Sequence, residues 1–158
     1  GRRVARALNP FFGPLVRFDT RPLEALLRAT AAPARFAPPW ERPTLYFVDN
    51  YPELDLARVQ LYQAVRQAGL PTRWLCYFDW SEEEMTTAFA RAREDRSLVV
   101  HYRPAAPPRS DLAFLNRHSE ECLRRVREPG SGFRKLRDLT PPGADFTLEL
   151  YASTSAGP

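Results

Sequence analysis

Glycine, cysteine, histidine and lysine are all scarce in this chain, and each scarcity removes a class of chemistry. The 158 residues include 7 glycines, and V-D-N-Y-P-E follows the first apolar run, where a phosphate-cradling glycine loop would lie. Nucleotide binding by the dinucleotide or P-loop route is therefore not expected. Cys76 and Cys122 match no zinc or redox spacing and read as reduced core residues. His101 and His118 are too few to complete a Cys/His metal site without carboxylates. The chain has no G-x-S-x-G nucleophile elbow. No run approaches the roughly 18–20 apolar residues of a membrane-spanning helix. No cofactor, resident metal or small-molecule substrate is expected.

Lysine is nearly absent: Lys135 stands alone among 23 basic residues, the other 22 being arginine. Arginine keeps its charge and pairs bidentately with carboxylate or phosphate, which suits permanent interfaces. The charge is unevenly spread. Residues 1–43 carry a net +5, residues 44–100 a net −3 and residues 101–158 a net +2. The 16 prolines divide over the same stretches as 7, 2 and 7. A slightly acidic middle thus lies between two proline-rich flanks.

The middle is the readable part. T-L-Y-F-V over 44–48 is a buried strand, and Asn50-Tyr51-Pro52-Glu53 carries helix-start signals. Leu54, Ala57, Leu61, Ala64, Val65 and Ala68 then recur at helical spacing, and Gly69-Leu70-Pro71 reads as a left-handed glycine cap followed by a break. R-W-L-C-Y-F over 73–78 predicts an interior strand, apolar on both faces. Ser81 and Glu84 form a capping-box pattern that opens a helix to about Arg93, with Met85, Ala88, Phe89 and Ala92 inward. S-L-V-V-H-Y over 97–102 is a third strand.

In the N-terminal flank, residues 19–30 predict a helix with Leu23, Leu26 and Leu27 inward, and 31–43 an extended connector anchored by Phe36 and Trp40. Further on, Ser110 or Asp111 opens one long helix, and the alternating 146–151 stretch is a candidate edge strand.

The expected fold is α/β: a small two- or three-layer β-α-β-α-β parallel sheet, Rossmann-like or thioredoxin-like. To it are added a C-terminal helix, the candidate edge strand and a proline-rich arm. The expected divisions are a basic arm at 1–43, the α/β domain at 44–130 and an extension at 131–158. Strand order 1-2-3 would put both crossover helices on one face; order 2-1-3 would put them on opposite faces.

The arm begins G-R-R-V-A-R-A-L-N-P-F-F, with Arg2, Arg3, Arg6 and Arg17 and no acidic residue before Asp19. That composition is typical of mitochondrial transit peptides, and the expected location is the matrix or the matrix side of the inner membrane. Extended, proline-rich segments bearing aromatics dock well on partner surfaces, because they lose little entropy on binding. The expected function is that of a non-catalytic accessory subunit of a large mitochondrial assembly, a respiratory-chain or ATP synthase complex. Phe11, Phe12, Phe18, Phe36, Trp40, Arg2, Arg3 and Arg6 would dock other subunits of that complex, and Phe11, Phe12, Leu15 and Val16 would touch a membrane interface peripherally.

Two alternatives stand beside this. As a mitochondrial ribosomal or other RNA-binding protein, the chain would follow phosphates with its arm and with Arg117, Arg124, Arg125, Arg127, Arg134, Lys135 and Arg137. As a metal-dependent hydrolase, it would gather Asp49, Asp79 and His101 at the carboxyl ends of its strands.

Overall fold

The structure, a computed structural model, describes residues 19–66, 69–106 and 110–154. The elements are α1 (Arg21–Ala34), β1 (Thr44–Phe47), α2 (Leu56–Arg66), β2 (Thr72–Trp74), α3 (Glu82–Glu94), β3 (Ser97–Pro104), α4 (Ser119–Arg127), β4 (Phe133–Leu139) and β5 (Phe146–Ser153). Short 3-10 turns cover Pro39–Glu41 and Ser110–Asn116. The five strands form one mixed sheet in the order β2-β1-β3-β5-β4. β1 pairs parallel with β2 and β3, and β5 pairs antiparallel with both β3 and β4.

Because β1 lies between β2 and β3, the two crossover helices fall on opposite faces. One core joins Leu23, Leu26 and Leu27 of α1 and Val59 of α2 to Leu45, Phe47, Val100, Leu148 and Leu150. The other joins Met85 and Phe89 of α3 and Cys122 and Val126 of α4 to Tyr46, Val48, Val99 and Tyr151. The result is three layers, helices–sheet–helices, with period-two alternation along each strand dividing its side chains between the two cores. Among the described residues no helix is long and apolar enough to cross a membrane.

Several expectations are corrected. The strand over 73–78 is not interior: β2 is three residues long and ends the sheet, and Leu75 and Cys76 are buried beyond it. The 146–151 stretch is not an edge. β5 lies inside the sheet, and the edge is β4, whose Arg134, Lys135, Arg137 and Asp138 are the charged residues that keep such an edge from pairing further. The single long helix from 110 is two elements. Asn116 diverts the chain by clasping the Asn50 backbone, its Oδ1 accepting from the Asn50 N–H at 2.7 Å and its Nδ2 donating to the carbonyl at 3.0 Å.

The helix after β1 begins later than its proline suggests. Asp55 is the cap: its Oδ1 accepts the Arg58 N–H at 2.7 Å, while Tyr51 and Leu54 form a β-bridge upstream. The later start moves the inward face to Leu56, Val59, Tyr62 and Gln63 and leaves Leu61 68% exposed. Gly69 does not take the left-handed conformation. The turn is held instead by the buried Gln63 amide, which accepts from the Leu70 N–H at 2.8 Å and donates to its carbonyl at 3.2 Å.

The capping box opens α3 as read. Ser81 Oγ accepts the Glu84 N–H at 3.2 Å, and Glu84 Oε2 accepts the Ser81 N–H at 2.6 Å. Ser81→Ala is expected to cost about 1 kcal/mol in urea unfolding. The two cores also set an alkaline limit. Burial, with a hydrogen bond to Asp95, raises the Tyr46 hydroxyl above its ordinary value, and burial, with the Glu53 charge, raises that of Tyr102. Their contribution to stability is complete below the ordinary tyrosine value of about 10 and is lost as pH rises through the elevated ones. Tm measured from pH 8 upward should therefore fall beyond about pH 10, and less steeply in Tyr46→Phe.

Candidate functional site

β1 and β3 are neighbours whose onward connections diverge, from β1 toward β2 and from β3 toward α4 and the antiparallel strands. Divergence of this kind leaves a crevice at the carboxyl ends of the strands. Asp49, two residues past β1 and only 3% exposed, lies in it. Its Oδ2 accepts the Tyr102 N–H at 2.9 Å and lies 2.8 Å from His101 Nδ1. Since Oδ2 already accepts the amide proton, Nδ1 is the donor to it, and the Nε2 lone pair is left free. Nε2 has no protein partner among the described residues, and it is not sealed from solvent.

Beside this pair a second polar network lies beneath α4. His101 is opposite Glu149 in the β3–β5 register. Glu149 is 3% exposed, and its Oε2 accepts from Tyr151 Oη at 2.8 Å and from the Arg127 guanidinium. Arg127 Nε also donates to Tyr151 Oη at 2.8 Å. Burial by itself would push the Glu149 carboxyl up; the Tyr151 and Arg127 hydrogen bonds and the Arg127 charge outweigh it and hold the carboxyl below its usual range. Burial raises the Tyr151 hydroxyl.

The wall of the crevice is equally fixed. Ser119, at the start of α4, donates from Oγ to the Val48 carbonyl at 2.7 Å, so its hydroxyl is not directed at His101. Cys76 Sγ donates to the same carbonyl at 3.3 Å, and burial together with the neighbouring Cys76 raises the Cys122 thiol. Both cysteines are free and buried. These elements enclose a cleft of about 840 Å³ lined by Asp49, His101, Arg103, Leu123, Arg124 and Arg127, among others.

Of the hydrolase trio, the structure brings Asp49 and His101 into contact but does not place Asp79 in the cleft lining. Among the described residues no group of three or more His, Cys, Asp or Glu side chains could hold a metal ion. Glu149 and Tyr151 are not legible as site residues, and Arg127 reads only as one of a basic stretch. Glu149 and Tyr151 share an alternating stretch that reads as an edge with one wet face, and nothing local marks α4 as its cover.

Of the residues expected to dock partners, Phe36 and Trp40 are each 80% exposed. Phe11, Phe12, Phe18, Arg2, Arg3 and Arg6 lie outside the described residues. Arg35 stacks its guanidinium 4.5 Å from the Phe36 ring centroid. Arg42 donates to the carbonyls of Ala37 at 3.1 Å and Arg35 at 3.3 Å, which ties the connector into a loop. The chain matches no family model, no curated protein and no solved structure.

Proposed function

We propose that this chain is an accessory subunit of a large mitochondrial assembly, of the respiratory-chain or ATP synthase kind, on the matrix side of the inner membrane. Neighbouring subunits would be held through its proline-rich arm and connector. The observation that carries this reading is the pair of aromatic rings, Phe36 and Trp40, each 80% exposed within a connector that Arg42 cross-braces. Large rings presented on a fixed loop and flanked by arginine are what interface centres are made of, because the loop's ordering cost is met before the partner arrives. The parallel β2-β1-β3 half, with helices on both faces, favours the Rossmann-like over the thioredoxin-like description of the scaffold.

The internal pairing of the arginines supports a protein partner over RNA. Arg124 and Arg125 bond Glu121, Arg125 also reaches Glu82, and Arg127 is held by Glu149 and Tyr151. Three cations of the second basic stretch are thus already satisfied within the fold.

Gentle purification of the endogenous protein is expected to recover it with membrane complexes, and migration as a free monomer would refute the reading. Phe36→Ala with Trp40→Ala should leave stability within about 0.5 kcal/mol of the parent, since neither ring is buried. The same double variant should lose co-migration with its complex on native gels. Retained co-migration would put the docking elsewhere.

A further inference from the structure

Three polar groups lining the cleft at the ends of β1 and β3 have no partner among the described residues. They are His101 Nε2, the Arg103 guanidinium and the Glu120 carboxylate. Around them nearly everything else is committed. Asp49 holds His101 and the Tyr102 amide, Arg127 is bound to Glu149 and Tyr151, and Arg124 is paired with Glu121 and Glu128. A cleft whose walls are fixed by internal bonds, with a few open groups converging on it, has the construction of a ligand site. Its volume of about 840 Å³ lies in the usual range for small-molecule pockets, roughly 300–1,000 Å³.

The open groups define the complement. His101 and Arg103 are two apart on β3 and so share a face of the sheet, about 7 Å apart along the strand. Arg103 offers only donors, fitted to an oxyanion. His101 Nε2, with Nδ1–H committed to Asp49, offers an acceptor, and Glu120 offers another. A bare dianion would meet one favourable partner and two that repel its lone pairs. An oxyanion that also carries a hydroxyl satisfies all three.

We propose that this cleft binds a small hydroxyl-bearing oxyanion, hydrogen phosphate or a hydroxy acid, with Arg103 on the oxyanion and His101 Nε2 accepting from the hydroxyl. The site is independent of the docking surface at Phe36 and Trp40, and the two stand or fall separately. Asp49 acts as a positioning residue, fixing the tautomer in which Nε2 accepts. Leu123, on the same side of the sheet as His101 and Arg103, supplies the apolar wall for the rest of the ligand.

The test follows the imidazole nitrogens of His101 by NMR in the whole chain, titrated with inorganic phosphate, L-malate or sulfate. Phosphate and malate each join an oxyanion to a hydroxyl; sulfate has none. Saturable movement of the Nε2 signal is expected with phosphate, malate or both, and a weaker response with sulfate. Response to phosphate alone assigns the hydrogen-phosphate class, and response to malate alone the hydroxy-acid class. Arg103→Gln should weaken binding at least about tenfold, while Arg137→Gln, on the exposed edge strand, should leave it unchanged. His101→Asn keeps a donor to Asp49 and removes the Nε2 acceptor, so in that variant, followed by isothermal titration calorimetry, the preference over sulfate should disappear. The proposal is overturned if neither phosphate nor malate moves the signal at tens of millimolar. It also fails if Arg103→Gln binds like the parent, or if sulfate binds as well as the other two.

Discussion

Arg127→Ala is expected to lower stability by about 2–3 kcal/mol at neutral pH, at or below the roughly 3–5 kcal/mol of a fully buried pair, because the Arg127 side chain is 47% exposed. The carboxylate it would abandon, Glu149, is 3% exposed and shares Oε2 between Arg127 and Tyr151. Tyr151 keeps its bond in the variant, and Lys135 Nζ stands 3.9 Å from Oε1, so the loss falls short of an isolated buried charge. The pH dependence identifies the cause. The folded-state value of Glu149 is depressed, so its contribution is present above the ordinary glutamate value of about 4.3 and is lost as pH falls through the depressed one. The gap between parent and Arg127→Ala should therefore narrow on acidification, as measured by urea unfolding from pH 7 to pH 3. Adding Glu149→Gln should restore part of the loss at pH 7, because the buried group is then neutral. A gap that is the same at every pH would show that Arg127 acts through packing alone.

Asp49→Ala should cost a similar amount, about 3 kcal/mol, with a fall in Tm of roughly 10 °C. One carboxylate oxygen serves two donors, the buried Tyr102 amide and His101 Nδ1, and alanine leaves both without an acceptor. Asp49→Asn separates hydrogen bonding from charge. Both donors converge on Oδ2, so an amide oxygen in its place can accept the Tyr102 N–H and the His101 Nδ1–H alike, and the loss should be nearer 1 kcal/mol. In Asp49→Ala the imidazole loses that acceptor, and NMR of its nitrogens should report a mixture of tautomers. A single tautomer unchanged in Asp49→Ala would dismiss Asp49 as the group that orients His101. Equal melting of Asp49→Ala and parent would remove its structural role as well.

Both predictions concern residues whose actual partners the linear chain does not show. Asp49 after an apolar run reads as a turn carboxylate serving the next helix, yet Asp55 caps that helix and Asp49 faces β3. Glu149 sits in an alternating F-T-L-E-L-Y run whose polar face reads as solvated. One face of β5 does pack Phe146, Leu148 and Leu150 into the first core, as the alternation says. The other face is covered by α4, and Glu149 is tolerated there because Arg127 and Tyr151 come down on it. β4 carries no strand signal in the sequence, since F-R-K-L-R-D-L has the composition of a solvated segment. As an edge strand it needs only one neighbour and a charged outer surface.

What the sequence determined alone is whatever a few adjacent residues settle among themselves. The Ser81–Glu84 box, the β1 run and the inward leucines of α1 are of this kind, because the pattern that marks each one spans no more than a turn or two of chain. Strand order, the true start of α2 and the composition of the cleft belong to the tertiary structure. Asp49 and His101 are 52 residues apart, and Arg127 and Glu149 are 22. Contacts at that separation exist only because β1 pairs between β2 and β3 and because α4 packs on the same face as α3. That choice rests on burying both faces of one sheet at once, a condition that no local pattern of residues expresses.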